Sequence, residues 1–406
     1  MSAPPSARGP GGAVDEAFIM RLPDEMLSKI LDLAGGTIFK ADTFWGKDYF
    51  SKTTIALATV CRRFNRIATP RLYYHLVVRW GKTDHATRSL HLTLRQRPEL
   101  RQCCKRLTVI ESNGNKPASS CKTPRLAMDL VSWLTGTNQL KIMANEKTAE
   151  IAMACVQALG DLASHNANLA MLCLSSFTES NWQSLHGLEG TAPFTALKLF
   201  QFSQTTRDLE LILKWPAKLE ELYFLPWSTC SLGGSGHWSF WRLQPMLDIH
   251  KSTLRKITIP ELDEGDITNL NLSDYPNLEI LELPATLTGK DVANIPRLVA
   301  PRLRVFRWNI ITWRTESRVQ PEDFDQAEED WLRAFVQAAV ERKVKLRQIF
   351  VDFAPTLFVG LLVDARYPWD RMDDVGRDVA QHGVKVGYLS PSITREEFNR
   401  ARWVRI

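Results

Sequence analysis

Histidine and cysteine are the residues of this chain best suited to metal or nucleophilic chemistry, and their spacing argues against both. None of the eight histidines pairs with Asp, Glu or Cys at the spacing of a metal site. The seven cysteines are odd in number, irregularly spaced and without a Cys-x-x-Cys pair, so neither a zinc site nor a disulfide framework is predicted. Most lie among apolar residues, as reduced cysteines do. We therefore predict no metal, no cofactor and a reducing compartment, cytoplasmic or nuclear.

Catalytic motifs are also absent from the sequence. It contains no G-x-S-x-G, H-E-x-x-H, Walker-type or G-x-G-x-x-G segment. The glycines at 233–236 lack a preceding strand and a following Lys, which favours a flexible insertion over a phosphate-binding loop. The net charge of +6 is small and scattered, and the apolar run 353–363 is interrupted by Pro355. We predict a protein that is not an enzyme and that binds neither nucleic acid nor membrane.

The strongest positive signal is a repeated spelling: Leu, two variable residues, an apolar residue, one variable residue and another apolar residue. Such recurrence every few dozen residues indicates stacked supersecondary units. A degenerate earlier copy, CKRLTV, fits only if Cys104 takes the first Leu position. The clear copies are LAMLCL from Leu169, LKLFQF from Leu197, LEELYF from Leu219, LRKITI from Leu254, LEILEL from Leu278 and LRVFRW from Leu303, followed by LRQIFV from Leu346.

This spelling predicts an α/β fold in which an irregular leucine-rich-repeat solenoid forms a curved parallel sheet. Alternate strand residues point to opposite faces, so the fourth and sixth residues of a unit face the core and the third, fifth and seventh face out. The exposed face would suit a protein or peptide partner. The residues that we predict to bind a substrate protein there are Gln201, Glu221, Tyr223, Lys256, Thr258, Glu282, Arg307 and Asn309. Within the aromatic stretch 226–241, we expect Phe240 and Trp241 to pack behind the sheet and leave Trp227 and Trp238 open.

Two helical patterns precede the repeats, and further helices are predicted at 124–143, at 146–163 and, with an amphipathic pattern, after Pro321. Apolar residues at three- and four-residue spacing follow Pro23, and a second helical stretch spans 53–67 before Pro70. About fifty residues cannot bury this much apolar surface alone, so the surplus requires either a partner or the end of the solenoid. Before them, residues 1–17 form a Pro-, Gly- and Ser-rich tail expected to be disordered.

The segment LPDEMLSKIL from Leu22, followed by VCRRFNRIA from Val60 and PRLY from Pro70, resembles the F-box. The linker between the two halves is roughly ten residues longer than in the family pattern. Joined to leucine-rich repeats, this unit is similar to substrate receptors of cullin-based (SCF) ubiquitin ligases, fungal members in particular. The resemblance implies that the F-box docks a Skp-type adaptor, and through it a cullin, while the repeats hold the substrate protein. The adaptor-binding residues that it implies are Leu22, Pro23, Glu25, Met26, Leu27, Ile30, Leu31, Val60, Cys61 and Phe64.

The predicted organisation is a tail at 1–17, the F-box at 18–80, the repeats at 81–390 and a C-terminal capping segment at 391–406. Two alternatives keep the same architecture. In one, the chain is a protein-binding scaffold whose N-terminal helices only cap the solenoid. In the other, a small molecule at the rim of the sheet controls binding of the partner. The sequence leaves both open.

Overall fold

A computed structural model describes residues 18–34, 52–80, 85–111, 123–144, 167–177, 182–227, 238–262, 267–289, 291–310, 319, 321–355 and 366–402. The tail predicted at 1–17, the helix predicted at 146–163 and the glycine-rich segment at 233–236 lie outside the described residues.

Within the residues that the structure describes, eleven parallel strands form one sheet, and they lie side by side in chain order. A parallel neighbour requires the chain to cross back over the sheet after every strand, so each strand with its return segment is one unit. The prediction of a parallel sheet built from successive units is thereby confirmed. The strands are β1 (His75–Trp80), β2 (Arg106–Glu111), β3 (Gln139–Met143), β4 (Met171–Ser175), β5 (Ala196–Phe202), β6 (Glu221–Pro226), β7 (Lys256–Thr258), β8 (Ile280–Pro284), β9 (Val305–Asn309), β10 (Gln348–Asp352) and β11 (Lys385–Tyr388).

Rows of apolar side chains cross the sheet on its buried face. Leu172, Leu197 and Leu222 are register partners on three consecutive strands, and a second row runs two residues further along from Leu174 to Phe224. Each of the six side chains in these two rows, Leu199 included, is at most 3% exposed. Burying one such side chain contributes about 2 kcal/mol, so neighbouring units stabilise each other mainly through these rows. The opposite face of the sheet is called the open face below.

Helices cover the buried face, and their apolar side chains share its core. One of them, predicted as an amphipathic helix after Pro321, begins with a capping box in which Asp325 and Glu328 each accept from the other's backbone N–H. The helices of the sheet region are α4 (His85–Gln96), α5 (Thr123–Trp133), α6 (Thr206–Lys214), α7 (Phe240–Asp248), α8 (Ala285–Thr288), α9 (Ile295–Leu298), α10 (Gln326–Glu341), α11 (Pro368–Ala380) and α12 (Arg395–Arg402).

Two helix predictions in this chain are wrong in extent. Residues 124–143, predicted as one helix, form α5 and then β3, in which Leu140 and Ile142 alternate toward the core. The stretch predicted at 53–67 is divided at Cys61, whose backbone is extended. Pro70 does not end the second helix, which continues to Leu72. The guanidinium of Arg71 holds this last turn by donating to the Ser28 carbonyl, 3.0 Å away.

The N-terminal helices form a unit with its own small core. They are α1 (Asp24–Ala34), α2 (Lys52–Val60) and α3 (Arg62–Leu72). Leu27, Leu31, Ala58, Phe64 and Ala68 are buried together and do not join the core of the sheet. The sheet begins directly after this helical unit. Its first strand, β1, follows α3 by two residues and pairs in register with β2.

Candidate protein-binding surfaces

Most of the predicted substrate-binding residues lie in register on the open face. Those placed there are Glu221, Tyr223, Lys256, Thr258, Glu282 and Arg307. Asn309 lies on the same face at the end of β9 but is only 4% exposed. Thr258 is buried as well, at 2%. The accessible part of this set therefore consists of its charged residues and Tyr223.

The prediction for β5 is wrong in register. Leu197 and Leu199 pair with buried residues of β4 and β6, so Leu197 takes the fourth position of its unit and Phe194 the first. The units starting at Leu169, Phe194 and Leu219 are then evenly spaced. Lys198 and Phe200 occupy the open-face positions that were predicted for Leu199 and Gln201. Even spacing was the signal in the sequence that could have identified this register.

Gln201 is the extra residue of a β-bulge near the end of β5, where the register with β6 shifts. Its φ is 51°, and Ser176 at the end of neighbouring β4 has a φ of 59°. Residues other than glycine adopt such values uncommonly. Here the Ser176 hydroxyl donates to the Gln201 side-chain oxygen at 2.5 Å. The bulge returns Phe202 to the core and leaves Gln201 half-buried at this edge of the sheet.

Aromatic rings form the centre of the open face. The rings of Phe200 and Tyr223 lie on neighbouring strands with centroids 4.4 Å apart. Phe200 is 8% exposed yet is not part of the sheet core, as expected of a side chain on the opposite face. Burial raises the pKa of the Tyr223 phenol, and nearby Glu282 raises it further. Tyr223 is therefore a neutral hydroxyl that can donate or accept one hydrogen bond to a ligand.

Charged residues of both signs lie beside these rings. Burial raises the pKa of the Glu282 carboxyl, and the positive charges of Arg307 and Lys256 oppose that rise. Burial raises the pKa of Asp352 in the same way, again opposed by Arg307. The Arg307 guanidinium lies 5.3 Å from the ring centre of Phe350. The open face thus offers donors, acceptors and apolar rings across several strands, a mixture typical of protein interfaces.

The helical unit carries a second candidate surface. On α1, Leu27 and Leu31 face its core, whereas Met26 is 46% and Leu33 77% exposed, with Ile30 half-buried between them. At 3.6 residues per turn, this exposed stripe is rotated roughly 110° from the buried one. The helix therefore has two apolar faces, of which the unit itself uses one. On α2, Ile55 and Val60 are also exposed, at 48% and 64%.

The ten predicted adaptor-binding residues divide between these two faces. Leu27, Leu31 and Phe64 lie in the core of the unit, where they pack between the helices. The pattern could not separate the groups because Met26, Leu27, Ile30 and Leu31 are all apolar and adjacent in pairs. The exposed ones are Pro23, Glu25, Met26 and Val60, and the half-buried ones are Leu22, Ile30 and Cys61.

The aromatic stretch after β6 differs from its prediction at one tryptophan. Trp238 is 3% exposed and packs edge-to-face on Phe224, with ring centroids 4.9 Å apart. Phe240 is buried as predicted, but Trp241 is 58% exposed, so the prediction that it packs behind the sheet is wrong. Helix α7 places Leu243 and Leu247 on the core side and turns Trp241 toward solvent. Trp227, half-buried, donates its backbone N–H to the Phe202 carbonyl at 2.9 Å.

Within the described ranges, no group of three or more His, Cys, Asp or Glu side chains is placed to hold a metal ion. Burial raises the pKa of both Cys104 and Cys173 to about 11, so these thiols stay protonated and unreactive near neutral pH. No helix among the described residues is long and apolar enough to cross a membrane. No protein-family model matches the chain, and no curated protein matches it.

Proposed function

We propose that this chain is a non-catalytic substrate receptor of a ubiquitin ligase. Its helical unit acts as an F-box that docks a Skp-type adaptor, and the open face of its leucine-rich-repeat sheet binds the substrate protein. The receptor accelerates ubiquitin transfer by raising the local concentration of the substrate and orienting it. The observation that most supports this proposal is the second apolar face of α1, formed by Met26, Ile30 and Leu33.

The separate core of the helical unit favours docking over capping. A unit that only capped the solenoid would merge its apolar side chains with the first strand of the sheet. Instead, Leu27, Leu31 and Phe64 form a cluster of their own, and Met26 and Leu33 of α1 are exposed. Exposed apolar stripes of this kind commonly mark binding sites for other proteins.

The breadth of the open face favours a protein over a small molecule as its ligand. The side chains that could contact a ligand extend from Lys198 on β5 to Phe350 on β10, a distance of about 24 Å across the sheet at the usual spacing of strands. A small ligand needs a concave pocket that encloses most of its surface. A row of half-buried polar and aromatic side chains fits a polypeptide better.

The exposed residues Met26 and Leu33 provide the direct test. Met26→Lys combined with Leu33→Lys places charges on the exposed face of α1 and leaves the core of the unit intact. The matched control is Leu92→Lys on α4, an exposed apolar residue (54%) outside the helical unit. We expect the double variant to lose co-purification with a Skp-type adaptor and the control to retain it, with both proteins keeping the circular dichroism spectrum of the wild type.

Undiminished adaptor binding by the double variant would refute docking through this face. If the wild-type chain itself retains no adaptor, the helices serve only as a cap, and the chain is a scaffold. Under the proposal, deletion of residues 18–74 abolishes adaptor binding while leaving substrate binding to the sheet.

A further inference from the structure

The open face is divided by charge. Strands β1 to β5 place Arg79, Arg106, Lys141 and Lys198 there, and none of their open-face positions holds Asp or Glu. The following strands mix the signs, with Glu221, Lys256, Glu282, Arg307 and Asp352 on the same face. The overall charge of the chain, only +6, gives no hint of this segregation.

Two of these cations lie on either side of one residue, Cys173. Lys141 and Lys198 are in register on either side of Cys173, so their backbones are about 9.6 Å apart. Burial raises the pKa of the Cys173 thiol, and the positive charges of Lys141 and Lys198 oppose that rise. Both ammonium groups are therefore close enough to the sulfur to interact with it electrostatically. Cys173 itself is 7% exposed and forms part of the floor between them.

The floor around this pair of lysines is aliphatic on β2 to β4, and the single ring of Phe200 borders it on β5. Ile110, Met143 and Met171 are half-buried on the same face of β2, β3 and β4. Such side chains can pack against leucine or methionine of a peptide, whereas single-stranded nucleic acid is usually held by aromatic platforms on which its bases stack. Positive charge above an aliphatic floor therefore favours a polypeptide that carries both carboxylates and apolar side chains.

We propose that the β1–β5 half of the open face binds an acidic segment of the partner protein. A carboxylate of that segment lies between Lys141 and Lys198, further carboxylates approach Arg106 and Arg79, and its apolar side chains rest on the aliphatic floor. This inference rests on the proposed function of the open face as a substrate-binding surface and names the class of substrate. The mixed-charge half, β6 to β10, then holds the neighbouring part of the partner.

Fluorescence anisotropy with the full chain tests the inference. The probes are a labelled twelve-residue peptide of alternating Glu and Leu with Ser, the same peptide with Lys in place of Glu, and a single-stranded oligonucleotide. Of the three probes, we expect only the acidic peptide to bind, and its binding should weaken at high salt. Lys141→Gln with Lys198→Gln should weaken it about tenfold, as the loss of two ion pairs implies. The matched control Lys214→Gln, an exposed lysine on α6 and not on the open face, should change affinity less than about twofold.

The neutral substitutions keep the test independent of folding, and the charge reversals Lys141→Glu and Lys198→Glu should abolish binding in a chain with an unchanged melting temperature. Equal binding by wild type and the Gln variant, tighter binding of the basic peptide, or preference for the oligonucleotide would overturn the inference. Adaptor co-purification is measured on the same proteins. If the wild-type chain does not co-purify with the adaptor, the receptor function is refuted. If it does co-purify but the acidic peptide does not bind, only the acidic-segment inference is refuted.

Discussion

Glu329 provides a sharp test of how α10 and α11 are held together behind the sheet. It is 2% exposed and binds two guanidinium groups, that of Arg333 one turn later at 2.9 Å and that of Arg371 on α11. The next residue, Asp330, also binds Arg333, at 3.3 Å, but its side chain is 62% exposed. Two adjacent acids thus share Arg333 as a partner, but Glu329 is buried and also binds Arg371, whereas Asp330 is exposed.

The perturbation is Glu329→Gln, with Asp330→Asn as the matched control. Removing one member of a buried ion pair costs about 3–5 kcal/mol because the remaining charge is left without compensation. Arg333 and Arg371 keep 31% and 17% of their side-chain surface exposed and stay partly hydrated, so we expect the lower end, about 3 kcal/mol. For Asp330→Asn, an exposed pair, we expect about 0.5 kcal/mol.

The assay is equilibrium unfolding in urea followed by tryptophan fluorescence, to which buried Trp331 on the same helix contributes along with the other tryptophans of the chain. Equal losses for the two variants, or a loss below about 1 kcal/mol for Glu329→Gln, would refute the argument that burial makes this pair important. The two substitutions remove the same unit of charge, so a larger loss for Glu329→Gln reports its burial together with its second partner, Arg371.

Three further changes test other parts of the structure. Leu199→Lys should cost about 3 kcal/mol or more by burying a charge, whereas Lys198→Leu should change stability by no more than about 0.5 kcal/mol; the opposite order in urea unfolding would restore the register first predicted for β5. Trp238→Ala should cost about 3–5 kcal/mol and Trp241→Ala about 0.5 kcal/mol, measured in the same way, and similar losses would contradict their different burial. Since burial raises the pKa of Glu282, the folded state binds more protons than the unfolded state above the ordinary value of 4.5, and wild-type stability from this group falls as pH rises. Glu282→Gln should therefore gain stability relative to wild type between about pH 4 and pH 7, and a constant difference across that range would argue against the shift.

Much of the fold could be predicted from the sequence because a repeated unit is encoded locally. The spacing of Leu169, Leu172 and Leu174 defines a strand and its core face without reference to distant residues, and the same holds from Leu219 onward. Degenerate units were harder. Cys104 takes the Leu position as predicted, but the unit of β3 begins with Thr137, a polar residue that no apolar pattern would select.

The candidate surfaces were predicted less completely, since exposure depends on neighbours that a local pattern does not contain. On α1 the apolar residues occur as adjacent pairs, and only packing against α3 decides that Leu27 is buried and Met26 is not. On α7 the same limitation concealed the difference between Phe240 and Trp241.

By itself, the sequence determined that this chain forms a parallel sheet of stacked units after a short helical segment, because the alternation of apolar residues is a property of each unit. The tertiary structure settled which of two overlapping spellings β5 uses. Both Leu197 and Phe194 fit the first position, even spacing favours Phe194, and pairing with the buried rows of β4 and β6 requires it. The tertiary structure also decided where charge accumulates. Lys141 and Lys198 are far apart in the chain and become neighbours of Cys173 only when the strands align in register.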